Sequence, residues 1–113
     1  MDFKRITGGT RLIKEYNKNF NLDKLAETWE LSCHPDGLCT IAEGEFAGKT
    51  LSEYLDVVGK KVLGSKCEHM EQFPLLIKFI DAKNDLSIQV HPSDEYALKH
   101  EGQYGKTEMW YIM

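Results

Sequence analysis

The sequence predicts a mainly β fold with one or two helices. Three observations support this prediction: short apolar segments, turn residues between them, and one clearly marked helix start. The length of 113 residues suits a single domain with one modest core. Hydrophobic residues make up 42% and charged residues 28%, which is a globular balance rather than a disordered one.

The first predicted strand spans residues 25–32, with Trp29 and Leu31 packing inward. Residues 34–37 (H-P-D-G) end it, because the residue before a proline disfavours helix and Asp-Gly is a turn pair. Thr50 and Glu53 then form a capping box, in which each satisfies a backbone donor of the other. Apolar residues then follow at helical spacing: Leu51, Leu55, Val58 and Val62. The helix should end near Gly59 or Gly64.

In the second half of the chain, the sequence predicts three further strands and a short helix. Residues 74–82 form the most apolar segment, and residues 82–85 connect it as a hairpin to a strand at 86–91. Ser93 and the acidic residues after it predict a helix that runs to about His100. Residues 106–113 are interpreted as a final strand.

Charge and composition exclude several classes of function. A net charge of -4 argues against a general nucleic-acid binder, although one placed lysine can still hold one phosphate. No apolar run is long enough for a membrane span, and the first five residues lack the apolar core of a signal peptide. Three cysteines without a C-x-x-C pair favour reduced thiols, so we expect a cytoplasmic protein.

The segments at 86–91 and 106–113 carry a candidate metal site. Because side chains alternate along a strand, Ser87, Gln89 and His91 share one face of the first segment, and its apolar residues can pack on a core. By the same rule Lys106 and Glu108 share a face of the second. One nitrogen and two oxygen donors suit zinc with an open position, but alternating polar residues are more often simply a half-exposed face.

The sequence of these segments resembles the paired signature of type I mannose-6-phosphate isomerases. The matching words are L-S-I-Q-V-H-P at 86–92 and G-K-T-E-M-W-Y at 105–111. Weaker matches are F-P-L-L-I-K-F-I-D-A at 73–82, A-E-T-W-E-L-S at 26–32 and H-P-D-G at 34–37. The resemblance covers nearly the whole chain in the family's order, although Thr7 stands where the family usually has a tryptophan.

The resemblance implies a cupin jelly roll of antiparallel strands, and it implies interconversion of mannose 6-phosphate and fructose 6-phosphate. Matched residue by residue, Gln89, His91 and Glu108 correspond to zinc ligands, while Ser87 and Lys106 correspond to positions that hold the substrate phosphate. The residue that moves the proton is unknown; Glu27 is a candidate. A small-molecule sugar phosphate is therefore the expected partner, with no nucleic acid and no membrane.

The resemblance also implies that residues 1–113 form a single catalytic domain that is truncated at its C-terminus. The family's fourth zinc ligand, a histidine, and a catalytic arginine lie downstream of the matched words. We therefore expect the 113-residue chain alone to be inactive, and its last strand to leave an open edge that favours self-association. We expect the remaining histidines to be loop or surface residues: His34, His69 and His100.

Two other classes of function stay open from the sequence. One is a non-catalytic sugar-phosphate-binding or regulatory cupin, against which the intact Gln89, His91 and Glu108 argue. The other is an iron-dependent cupin oxygenase, whose first motif usually holds more histidines than the single His91. Metal analysis together with an isomerase assay separates all three.

Overall fold

The computed structural model describes residues 7–18 and 20–113. Three α-helices and one 3-10 helix lie in this part of the chain: α1 (Arg11–Lys14), α2 (Leu51–Val58), α3 (Asp94–His100) and the 3-10 helix Lys60–Leu63. Four strands accompany them: β1 (Glu27–Leu31), β2 (Cys33–His34), β3 (Gly37–Leu38) and β4 (Ile77–Ile80). They form two separate two-stranded antiparallel sheets, β1 with β4 and β2 with β3.

The β1–β4 pair joins two segments that lie far apart in the sequence. Trp29 lies opposite Lys78, and Thr28 lies opposite Phe79, with an irregularity between Trp29 and Leu31. Because opposed residues share a face, Trp29 and Lys78 lie on one side of the pair, and Thr28 and Phe79 lie on the other. The predicted strand at 25–32 is thus confirmed in its central part, although its buried residue is Thr28 and Trp29 is half-buried.

Gly8 and Gly9 tie the start of the described chain to both strands. Gly8 bridges to Ala82 and Gly9 bridges to Leu25. A Cβ on Gly8 would lie 2.6 Å from the backbone nitrogen of Ala26, so the two backbones approach too closely for any side chain there. Gly8 is therefore required for close packing of the two segments.

Asp81 caps α1 from the far end of β4. Its carboxylate accepts a hydrogen bond from the Arg11 backbone N–H at 2.7 Å, and its carbonyl accepts one from Gly9 at 2.9 Å. The Thr10 side chain makes no capping hydrogen bond. A residue 70 positions away thus satisfies an N–H that the helix cannot satisfy itself.

The capping box predicted for α2 is confirmed. The Thr50 side chain accepts from the Glu53 N–H at 3.2 Å, and Glu53 accepts from the Thr50 N–H at 2.7 Å. Gly59 ends the helix at a positive φ of 84°, and Leu55 supplies the buried contact. Local sequence therefore determines both ends of α2.

The capping box makes the stability of α2 depend on pH. The hydrogen bond from the Thr50 backbone, and then that from its hydroxyl, lower the pKa of Glu53 below its ordinary value of 4.5. When folding lowers the pKa of a carboxyl group, the ionised group stabilises the folded state. This stabilisation is complete at pH values above the pKa in the unfolded state, and it is lost as the pH falls through the pKa in the folded state. We expect the difference in melting temperature between wild type and Glu53→Gln to shrink as the pH falls from 7 to about 3. A difference that is constant over this range would contradict the assignment.

The helix predicted after Ser93 is confirmed as α3, with the Ser93 side chain accepting from the Tyr96 N–H. The predicted strands at 86–91 and 106–113 are wrong as hydrogen-bonded strands, since neither belongs to a sheet of the described chain. A strand needs backbone partners, and no described segment supplies them here. The hairpin predicted at 82–85 therefore has no second strand, and Ala82 bridges to Gly8 instead.

The apolar side chains of these two segments are exposed rather than packed on a core. The prediction that the apolar face of 86–91 packs inward is therefore wrong for the described chain. Large exposed apolar residues include Ile88, Val90, Met109, Trp110, Tyr111 and Ile112. The jelly roll, the single-domain assignment and self-association through an open edge stay predictions.

The three cysteines are free thiols. Cys33 lies opposite Leu38 in the β2–β3 hairpin, and the Cys39 N–H donates to the Ser32 carbonyl beside it. Neighbouring positions of a strand face opposite sides, so Cys33 and Cys39 point away from each other. No helix in the described ranges has the length and apolar composition to cross a membrane.

Candidate functional site

The turns on either side of α3 bring together the two segments that carry the predicted ligands. The Gly105 N–H donates to the Asp94 carboxylate at 2.9 Å, and the Lys106 N–H donates to the Pro92 carbonyl at 3.2 Å. Gly105 lies so close to this turn that a Cβ would lie 2.6 Å from the Asp94 nitrogen. The chain entering α3 and the chain leaving it are therefore held side by side.

His91 and Glu108 meet across this junction. His91 Nε2 lies 2.8 Å from Glu108 Oε2, and the two side chains each keep a quarter of their surface exposed. Lys106 Nζ lies 2.5 Å from the other oxygen, Glu108 Oε1. One carboxylate thus contacts an imidazole with one oxygen and an ammonium with the other.

The electrostatics of this cluster favour the ionised carboxylate. The hydrogen bond from Lys106 lowers the pKa of Glu108 most strongly, burial raises it, and the hydrogen bond from His91 lowers it again. The net result is a pKa below the ordinary value of 4.5. Glu108 is therefore anionic at neutral pH, as a metal ligand has to be.

Ser87 and Gln89 lie on a shared face but form a second pair. The Gln89 side-chain amide donates to the Ser87 hydroxyl at 3.0 Å, which confirms that residues two apart face the same way here. No hydrogen bond in the described chain joins this pair to His91 or Glu108. The structure thus brings together two of the three predicted ligands, with Lys106 beside them.

The donor atoms of His91 and Glu108 could hold a divalent metal ion. Ligand bonds of about 2.0–2.1 Å at a tetrahedral centre place two donor atoms about 3.3 Å apart, so the observed 2.8 Å needs only a small opening. Within residues 7–18 and 20–113, no three His, Cys, Asp or Glu side chains cluster closely enough for a metal.

Glu27 lies in a separate cluster on the β1–β4 sheet. Its Oε1 accepts from Trp29 Nε1 at 2.9 Å, and its Oε2 lies 3.3 Å from Lys78 Nζ. The Lys78 ammonium also lies 6.0 Å from the Trp29 ring, and the His34 ring contacts the same indole edge-on at 5.8 Å. Both oxygens of Glu27 therefore have partners.

Sequence reasoning missed Lys78 as the partner of Glu27. A charged lysine in the middle of an apolar strand costs free energy unless it has an ionic partner. The position of Lys78 was therefore the available sign that an acidic residue lies nearby. The choice of partner needs the β1–β4 register, which the sequence does not give. The other histidines are exposed, as predicted: His34, His69 and His100.

Known proteins share much of this sequence. The profile of the family phosphomannose isomerase type I, catalytic domain, matches residues 6–109. The chain is 41% identical over 110 residues to the mannose-6-phosphate isomerase of Streptococcus mutans, covering 97% of this chain and 34% of that protein. It is 41% identical over 111 residues to mannose-6-phosphate isomerase ManA of Bacillus subtilis, with the same coverage of each.

A solved structure gives the same result in three dimensions. The fold matches the crystal structure of the mannose 6-phosphate isomerase from Bacillus subtilis with a TM-score of 0.77 at 39% sequence identity. The match covers 91% of this chain and 32% of that one, so the chain spans about a third of the relatives it matches. With nearly its whole length matched by one family profile, the chain belongs to the type I phosphomannose isomerase catalytic-domain family.

Proposed function

We propose that this chain contributes the metal and phosphate sites of a zinc-dependent mannose-6-phosphate isomerase. The observation that carries the proposal is the meeting of His91 Nε2 and Glu108 Oε2 at 2.8 Å, with Lys106 on the same carboxylate. Membership of the family and the names of the relatives support the choice of reaction.

Gln89, His91 and Glu108 would hold the zinc ion. The imidazole nitrogen and the carboxylate oxygen already converge, and rotation of the Gln89 side chain away from Ser87 would present its amide oxygen. Bound zinc supplies a Lewis acid that stabilises negative charge on the sugar oxygens as a proton leaves carbon. The chain's own side chains then have to bind and orient the sugar.

Lys106 and Ser87 would bind the phosphate of the substrate. The Lys106 side chain is 44% exposed, so an incoming anion can reach its ammonium group. The phosphate is remote from the reacting carbons, and holding it fixes the sugar against the metal and adds binding energy to the transition state.

Glu27 is the candidate for proton transfer among the described residues. Hydrogen bonds to Trp29 and Lys78 hold both of its oxygens, which fixes the orientation of the carboxylate. A general base must first be held in the correct orientation to remove a proton. Its contribution is tested by the pH dependence of the rate in Glu27→Gln.

The deciding experiment combines metal analysis with an isomerase assay on the full-length product of the gene. We expect about one zinc per chain and conversion of mannose 6-phosphate to fructose 6-phosphate that stops on chelation and returns with zinc. Bound sugar phosphate without turnover would establish a binding cupin instead. Iron with oxygen consumption would establish an oxygenase.

Lys106→Ala provides a prediction about the phosphate site. We expect it to weaken sugar-phosphate binding by about 10- to 100-fold, because a charge-assisted bond to the phosphate is lost. Zinc content should change far less, as Lys106 is not a ligand. Calorimetric titration and metal analysis measure the two effects, and an equal loss of both would assign Lys106 a structural role. Thr107→Ala, at the exposed neighbouring position, is the control.

The jelly-roll fold and a cytoplasmic location belong to the same proposal. The exposed apolar side chains near residues 88 and 110 are what a larger antiparallel sheet structure would cover. A crystal structure of the full-length protein tests the fold, and cell fractionation tests the location.

A further inference from the structure

The Glu108 carboxylate stands between the two sites of the proposed function. Its Oε2 contacts His91, which belongs to the metal set, and its Oε1 contacts Lys106, which belongs to the phosphate set. His91 would bind the metal ion, and Lys106 would bind the phosphate. Because the two oxygens share one delocalised negative charge, a cation bound at one oxygen reduces the negative charge at the other.

We propose that Glu108 couples phosphate binding to metal binding by holding the Lys106 ammonium until a metal cation shares its charge. This inference rests on the proposed function, and it adds a regulatory property to that site. Metal-free protein should bind a phosphate anion weakly, and metal-loaded protein should bind it well.

The coupling follows from the short ion pair. Lys106 Nζ lies 2.5 Å from Glu108 Oε1, so a phosphate that recruits this ammonium has to replace that contact. A divalent cation on Oε2 draws the carboxylate charge toward itself, which weakens the attraction for Lys106. Coupling between sites is reciprocal, so phosphate should raise metal affinity by the same factor.

A different arrangement would give no coupling. If Lys106 stays on Oε1 while the metal occupies Oε2, the lysine acts as a fixed support of the metal ligand. Phosphate affinity would then not depend on the Glu108–Lys106 pair. Comparing phosphate affinity with and without zinc distinguishes the two arrangements.

The test uses metal-free full-length protein and inorganic phosphate as the probe. Glu108→Gln removes the charge and keeps the size, and we expect it to bind phosphate about tenfold more tightly than wild type, within the usual range of coupling between sites. Asp56→Asn, at an exposed carboxylate of α2, makes the same change in net charge and should leave phosphate affinity unchanged. In a Lys106→Gln background, the gain from Glu108→Gln should disappear.

A second measurement needs no variant. Wild-type protein loaded with zinc should bind phosphate about tenfold more tightly than the same protein after chelation and dialysis. Equal affinities in both comparisons would overturn the coupling. If Lys106→Gln leaves phosphate binding to the zinc-loaded protein unchanged, the proposed phosphate site fails. If Lys106→Gln weakens that binding but Glu108→Gln does not strengthen binding to the metal-free protein, only the coupling fails.

Discussion

Replacement of His91 with alanine in the full-length protein is expected to remove bound zinc and to lower isomerase activity by at least about a hundredfold. His91 is the single nitrogen donor of the predicted set, and its Nε2 already lies 2.8 Å from the Glu108 carboxylate. Without it, residues 1–113 offer only the oxygen donors of Gln89 and Glu108, and a site that has lost a nitrogen donor holds zinc less well. Metal analysis and the rate with mannose 6-phosphate measure both losses.

His69→Ala is the matched control for this substitution. His69 is exposed in a turn between the 3-10 helix and β4, so the same chemical change there should leave zinc content and rate unchanged. Retention of zinc and activity in His91→Ala would remove the basis of the proposed metal site. A folded but metal-free His91→Ala protein, shown by an unchanged circular dichroism spectrum, is the supporting result.

Gly8→Ala is expected to destabilise the protein by about 3 kcal/mol, at the upper end of the usual cost of overpacking. The added Cβ would lie 2.6 Å from the Ala26 nitrogen and 2.7 Å from the Leu25 carbonyl carbon. Both neighbours are backbone atoms, so relief requires the two segments to separate. That separation would break the bridges to Ala82 and Leu25. Urea denaturation measures the free energy of unfolding.

Gly44→Ala separates lack of space from backbone conformation. Gly44 has a φ of 90° and nothing within 4 Å of its would-be Cβ, so alanine there meets only the left-handed backbone penalty of about 1 kcal/mol. A loss in Gly8→Ala that is no larger than in Gly44→Ala would mean that the approach at Gly8 is not tight in solution.

Sequence alone predicted the features that depend on neighbouring residues. The capping box of Thr50 and Glu53, the glycine end of α2 and the Ser93 cap all involve groups within a few positions, and all are confirmed. The meeting of His91 and Glu108 also followed from the sequence, with the help of a family resemblance. Spacing was enough for the caps and the helix end, whereas His91 and Glu108 were brought together only by the resemblance.

Features that depend on distant residues were missed. Nothing near Glu27 in the sequence indicates Lys78, and nothing near Arg11 indicates Asp81 as its cap. The strands predicted at 86–91 and 106–113 failed for a related reason. Alternation of polar and apolar residues shows which side chains share a face, but it does not show whether a partner strand is present.

The distance along the chain between β1 and β4 also affects how the protein folds. Glu27 and Lys78 are 51 positions apart, whereas the capping box of α2 spans three. Bringing distant segments together requires loop closure before any contact compensates for the lost chain entropy, so such contacts form slowly. The β2–β3 hairpin and α2 involve only nearby residues, so they can form within about a few microseconds. During synthesis on the ribosome, Glu27 therefore waits for its partner until the residues of β4 have left the exit tunnel.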